Sequence, residues 1–517
     1  MLITTIPAKK PLLSTVVLCM VLTGCGSDRK STTPAPVTAQ VPVTPDTPAT
    51  TTDPITSALP TTGIWSAPAY GYVLVIEDQQ HGLYQHTSEY CQRLGLDEVD
   101  QEGHQALVDS IVLSDDQDSM VTTIAGQKVP GMAMTRLAAL PDSCADSLLP
   151  QAGEEGYVFN PQQDFEIFWQ TFNEQYAFFG LEGVNWDEVY QLANSQINES
   201  TSREALFEIL KQMIAPLKDF HVSLTDPVLE QAISFSRKQD FIDILMSEYL
   251  SINHIEPPFT QAMFADFIPY LIKQRQNSLM NTFAHMADIE QVNGNDNDSL
   301  LWGITADNLG YLYIETMDLE EIGDEDATRD ENMYQLRVTM DEVLSDLEDI
   351  DGLIIDVRYN GGGNDYVSQY IASRLIKQDL YAYAKQVRLG DGRTPMQPMV
   401  IKPLGIRPFT GPVALLTSTE TGSAAEVFTM TLRERPDTML IGEATAGGLS
   451  DTLDKSLPGG FVYTLSNEIY LTPAGEAFEG VGVPVDFEVP FFTLEQREKG
   501  VDWGMEKAIT ELMGNKH

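Results

Sequence analysis

Two stretches decide the reading of this chain: Val413-Ala414-Leu415-Leu416 followed by Thr421-Gly422-Ser423-Ala424-Ala425-Glu426, and Leu353-Ile354-Ile355-Asp356-Val357 followed by Tyr359-Asn360-Gly361-Gly362-Gly363. Each is a continuous apolar run that ends in a glycine turn and leads into a helical pattern. Apolar runs without alternation belong to strands buried on both faces, and strands that alternate with helices form a parallel sheet. The chemistry of such sheets lies at the carboxyl ends of the strands. There, a serine opening a helix faces the positive end of the helix dipole, beside exposed N–H groups. An acyl-transfer nucleophile needs that arrangement, because the same groups can hold the oxyanion. A plain N-cap serine fits the same letters. Three glycines allow close backbone approach to a ligand, and no Gly-Lys-Ser/Thr ending follows to make a phosphate loop.

Further βα patterning surrounds these stretches. Tyr311–Ile314 reads as a strand, Met333–Leu347 and Tyr366–Leu375 as helices, and Thr438–Gly442 as another strand. The spacing of Phe165, Phe168, Phe172, Tyr176 and Phe179 predicts a packed helix that starts at Asn160-Pro161. A second amphipathic helix follows Ser202 and stops at Pro216, and residues 226–300 read as helical. Between Ile64 and Cys144 the chain reads as short strands and turns, including Tyr72–Ile76 and Met120–Ile124. His81, His86 and His104 fall there without metal-ligand spacing.

At 517 residues the chain is long enough for several domains. Its 76 acidic against 31 basic residues give a formal charge of −45, which repels nucleic acid and anionic membrane surfaces. The acidic clusters lack calcium-loop spacing, so neither a metal nor a cofactor is assigned. Lys9-Lys10, an apolar stretch from Pro11 to Leu22 and then Leu22-Thr23-Gly24-Cys25 match the bacterial lipobox. That match implies cleavage before Cys25, lipidation of Cys25 and, with Gly26 next, the outer membrane of a bacterial cell envelope. Residues 28–60 are rich in Thr and Pro and read as an extended tether. Cys91 and Cys144 remain as an even pair in an oxidising compartment, where a disulfide is expected.

Four segments in order resemble the C-terminal-processing and tricorn-like serine peptidases (tail-specific proteases): Leu217–Leu224, Asp356–Gly363, Thr421–Glu426 continuing to Gly442–Gly448, and Phe478–Asp486. The resemblance covers roughly 160–225 and 300–490. It implies an α/β fold, with a crotonase/ClpP-like catalytic core, a helical subdomain and a small N-terminal β-rich domain. The expected division is a signal peptide (1–24), tether (25–60), β-rich domain (61–150), helical subdomain carrying His221 (158–300), core (301–490) and C-terminal helix (491–517). Carried over, Ser423 matches the nucleophile, His221 the base and Glu479 the carboxylate behind it. The N–H groups of Ala424 and of Gly361 or Gly362 match the oxyanion hole.

Two departures stand out. The processing branch has its catalytic lysine where this chain has Gly448, and Lys455 is expected at the surface. The tricorn-like branch has a serine where this chain has Phe220, for which Asp219, Ser223 or a relay through water could substitute. A PDZ pattern is missing from 226–300. The resulting expectation is a lipid-anchored endopeptidase acting on peptides or unfolded protein. The alternatives are a non-catalytic ligand-binding protein on the same fold and a serine esterase.

Overall fold

The computed structural model describes residues 60–514, apart from 78–79, 95–106, 108–110, 123–130, 146–147, 237–240, 261–262 and 406. The signal segment, Cys25, nearly all of the tether and His104 lie outside the described residues.

The apolar runs form one seven-stranded sheet in the order Asn293–Gly294, Leu300–Ile304, Gly310–Ile314, Leu353–Asp356, Val413–Thr417, Thr438–Gly442, Phe487–Glu488. The first three strands are antiparallel, and every pairing from Gly310–Ile314 onward is parallel. Alternate side chains go to opposite faces, and both faces are covered, which is why the runs carry no polar alternation. Leu353, Ile355, Val413 and Leu415 pack under helices Arg329–Asp346, Asp365–Ser373 and Ala424–Arg433. Ile354, Ala414 and Leu416 pack on the other side with helices Phe241–Ile252, Phe264–Phe283 and Trp503–Gly514. Asp356 lies opposite Leu416, so the glycine loop and the Ser423 turn leave the sheet side by side.

A buried ion cluster closes the second face. Arg358 grips Asp356 through Nε and Nη2 (2.9 and 2.6 Å) and Asp502 through Nη1 and Nη2 (both 2.8 Å). Thr282 and Tyr311 hydroxyls donate to Asp502 and Asp356. Burial raises the Asp502 carboxyl, but the Arg358 charge and hydrogen bonds outweigh it and bring it down to about 2.

The N-terminal sheet is also seven-stranded, ordered Cys91–Arg93, His81–His86, Tyr72–Ile76, Gly63–Ala67, Met132–Leu137, Ser119–Thr122, Val112–Leu113. Cys91 and Cys144 are disulfide-bonded. This sheet does not keep a core of its own. Trp65, Leu74 and Met134 belong to the same apolar cluster as Phe168 and Phe172 of helix Pro161–Gln175, Leu210 of helix Arg203–Ile214, and Tyr463 of strand Val462–Ser466. Asn160 caps the first of these helices by accepting from the Gln163 N–H; Phe165, Phe168, Phe172 and Tyr176 of the predicted stripe are buried, and Phe179, past the helix end at Gln175, is half-buried. The helices between 158 and 300 therefore serve two cores: those at 161–214 join the N-terminal sheet, and those at 241–283 back the central sheet. Between them, Ser223–Asp226 and Gln231–Ser234 are strands, paired into a four-stranded sheet with Thr452–Ser456 and Val462–Ser466. A short strand thus stands where a helical reading had been expected.

Candidate active site

Ser423 sits between strand Val413–Thr417 and helix Ala424–Arg433. The turn is tied to the exit of the neighbouring strand. The Thr421 hydroxyl donates to Val357 O (2.9 Å), the Ser418 hydroxyl to Arg358 O (2.6 Å), and the Gly422 N–H to Asn360 O (3.0 Å). Held this way, Ser423 takes φ 50° and ψ −124° at the N-cap position, yet its side chain makes no capping hydrogen bond. Its own N–H donates to Gly448 O at 3.2 Å. A non-glycine residue in such a conformation stores strain, which the surrounding bonds must offset. The hydroxyl is half-buried and is not used to cap the helix.

The glycine loop lies directly against this residue. A Cβ on Gly362 would come within 2.5 Å of Ser423 Cβ and 3.1 Å of Ala424 N, and Gly362 has φ 117°, so only glycine fits. The two oxyanion candidates are now distinguishable. Gly362 donates its N–H to Asn360 Oδ1 (2.9 Å). Among the described residues, the N–H groups of exposed Gly361 and of Ala424 are donated to no protein acceptor.

His221 is buried just before strand Ser223–Asp226. Its backbone is fixed at both ends: the N–H donates to Asp219 Oδ1 (3.0 Å), and the carbonyl accepts from the Thr464 hydroxyl (2.6 Å). Ser223 shares a hydroxyl contact of 2.8 Å with that same Thr464, so its hydroxyl is engaged there. Phe220 connects this segment to the Ser423 turn. Its ring centroid is 4.2 Å from that of His221, and its ring edge is 3.5 Å from the place of a Cβ on Gly422. A Cβ on Gly448 would be only 2.2 Å from Phe220 Cε1. The two departures from the family pattern are therefore one packing event: the Phe220 ring fills the space that a side chain at 448 would need. Lys455 is not the missing base, nor is it at the surface as expected. It is buried, donates to Tyr70 O (2.6 Å) and lies 3.9 Å over the Tyr72 ring, because its strand packs on the N-terminal sheet.

Glu479 is also buried. Its Oε2 accepts from the N–H groups of Leu449 and Ser450, both at 2.9 Å, and its Oε1 has no hydrogen-bond partner among the described residues. Burial, then the charges of Asp219 and Glu426, push its carboxyl well above the usual carboxylate range, against the pull of the two N–H groups. Asp219 also accepts from the Tyr176 hydroxyl (3.1 Å). Glu426 has a role that reading the sequence missed. Its carboxylate accepts from the Thr445 hydroxyl (2.5 Å) and the Gly447 and Gly448 N–H groups (2.7 Å each), which aligns the turn whose carbonyl receives Ser423. The only signal for it was an acid placed three residues after the serine, on the same side of the helix. Among the described residues no group of His, Cys, Asp and Glu is arranged to hold a metal, and no helix is long and apolar enough to cross a membrane.

Comparison with known proteins bears on the fold and on the class of enzyme. Residues 308–489 match the family model of Peptidase family S41, and residues 160–215 match that of the tricorn protease C1 domain. The tricorn protease of Thermoplasma acidophilum is 28% identical over 166 residues, which is 31% of this chain and 14% of that protein. The tricorn protease of Thermoplasma volcanium is 26% identical over 166 residues, 32% and 15% of the two chains. The match thus spans a small part of those relatives. A crystal structure of a Parabacteroides merdae protein shares the fold, with a TM-score of 0.52 at 23% identity over 69% of this chain and 98% of that one. On these matches and the strand–glycine-loop–serine core, residues 308–489 form a domain like those of Peptidase family S41, preceded by helices like the tricorn protease C1 domain, and the chain is a serine-type peptidase.

Proposed function

We propose that this chain is a serine endopeptidase of peptides or unfolded protein, held at the cell envelope by a lipid on Cys25. The observation that carries the reading is the strained Ser423, whose side chain makes no cap and whose Cβ lies against Gly362 of the glycine loop, while among the described residues the N–H groups of Ala424 and Gly361 go to no protein acceptor. In this scheme His221 takes the Ser423 proton as Oγ attacks the peptide carbonyl. The oxyanion is held by the Ala424 and Gly361 N–H groups. The carboxyls of Glu479 and Asp219 offset the charge of the imidazolium. That proton then passes to the leaving amine, leaving an acyl-enzyme on Ser423 that water hydrolyses by the same route.

Reaction with a fluorophosphonate probe tests it. Wild type should be labelled, and folded Ser423→Ala and His221→Ala should each lose activity by about three orders of magnitude or more, as members of one unit do. A folded but unreactive wild type would overturn the reading and favour a ligand-binding protein. Comparing turnover of an unfolded protein with that of a small ester separates peptidase from esterase. Incorporation of labelled palmitate, abolished by Cys25→Ala, checks the anchor.

A further inference from the structure

The N-terminal sheet reaches the candidate site through one tyrosine. Tyr70 closes the short helical turn Pro68–Tyr70 between strands Gly63–Ala67 and Tyr72–Ile76. Its buried hydroxyl donates to Glu468 Oε1 at 2.7 Å. Glu468 is fully buried and ion-paired with Lys385. The Glu468 N–H donates to Ser450 Oγ (3.1 Å), and the Ser450 N–H donates to Glu479 Oε2 (2.9 Å). The turn that aims the hydroxyl is itself pinned from the same strands: Lys455 donates to Tyr70 O, and Asn467 Nδ2 donates to Ala69 O (3.2 Å).

We propose that Tyr70 is a positioning residue of the candidate site, fixing Glu468 and through it the Ser450 turn that holds Glu479. The N-terminal sheet then completes the site. This rests on the reading of Glu479 as the carboxyl behind His221. Buried hydrogen-bond chains in a low-dielectric interior transmit the loss of one member to the next. Removing the Tyr70 hydroxyl takes the donor from Glu468 Oε1 while Lys385 and the Tyr470 hydroxyl (3.3 Å) still hold the carboxylate, so Glu468 shifts toward them, the Ser450 turn follows, and an N–H bond that favours the charged form of Glu479 weakens; Glu479 should then bind its proton more tightly. The charged groups acting on Glu479 are Asp219 and Glu426, and Glu468 in turn lies with Lys385, Asp451 and the buried Asp365, which burial pushes up to about 6.

Tyr72 supplies a matched control, because its hydroxyl also bonds the partner strands, at Asp454 O, but off this chain of contacts. The experiment uses the full chain as wild type, Tyr70→Phe and Tyr72→Phe. It follows the infrared band of the protonated Glu479 carboxyl, identified by its loss in Glu479→Gln. Both phenylalanine variants should melt slightly below wild type. Only Tyr70→Phe should raise the midpoint of the band, by about half a pH unit, and move the acid limb of kcat/KM upward with KM unchanged. A midpoint equal to wild type, an equal shift in both variants, or no titrating band at all would overturn the proposal. An unreactive wild type that still shows the Tyr70 shift would remove the peptidase reading and leave this coupling standing. A reactive protein without the shift would do the reverse.

Discussion

Two buried groups of acids flank the central sheet, and they are built on opposite plans. On one face Asp356 and Asp502 share the guanidinium of Arg358, with two bonds to each carboxylate. On the other, Glu479, Glu426 and Asp219 are held by backbone N–H groups and hydroxyls: Leu449 and Ser450, Gly447, Gly448 and Thr445, His221 and Tyr176. The first group sets one guanidinium between two carboxylates and locks the C-terminal helix to the strand that feeds the glycine loop. In the second the bonds come from neutral groups, so the repulsion among the acids is left standing and shows in the raised Glu479 carboxyl, while Asp219 holds the His221 backbone. Backbone dipoles fix where the carboxyls lie without cancelling their charge, so the field remains for an imidazolium to use. One group supports the fold and the other, in the proposed scheme, serves the site.

The sharpest way to break this contrast is to remove the cation from the first group. Arg358→Met should cost about 3–5 kcal/mol in a urea titration, because two carboxylates are left buried without their partner. A loss near zero would mean that the cluster does not hold the fold.

In the second group Glu479→Gln should act the other way, lowering kcat about 100-fold while leaving the urea midpoint equal or higher. The sign follows from its raised carboxyl. Wild-type stability is present at low pH and falls as pH rises above the ordinary carboxylate range, a loss the glutamine does not share. A glutamine variant as unstable as Arg358→Met would erase the distinction.

The smallest effect belongs to a third acid, outside both groups. Asp164 accepts from the Gly459 N–H (3.2 Å), and burial pushes it up to about 7 although that bond and Arg203 pull it down. Its raised folded value makes the protein lose stability as pH rises from about 4 to 7. Asp164→Asn should therefore gain on wild type by about 2 kcal/mol between pH 5 and pH 8. Parallel stability-against-pH curves would count against it.

Much of the core was legible because its signals are local. Leu353–Val357 and Val413–Leu416 announce buried parallel strands by composition alone, and the glycines and serine that follow mark their carboxyl ends. The aromatic stripe from Phe165 to Tyr176 carries its helical period openly. What could not be read was pairing across long separations. Nothing near Tyr70 signals Glu468, and nothing in the short strands after Ile64 says that their apolar side will meet Phe168 and Tyr463. Lys455 looked like a surface residue because a lysine on an alternating strand is one, unless another sheet covers that face. Phe220 and Gly448 showed as two unrelated departures, 228 positions apart in numbering, until the ring was found lying over the glycine. Glu426 was quoted as part of a turn, but its hydrogen bonds run to residues 445–448, beyond any local pattern.

The backbone at Ser423 has a consequence for how this chain varies. At φ 50° and ψ −124° the residue best suited to the position by conformation alone is glycine. Selection for a sturdier protein and selection for a reactive one thus pull residue 423 in opposite directions. A lineage that no longer needed the hydroxyl would gain stability from the very substitution that silenced it, so a serine kept at this position across relatives would be a record of use.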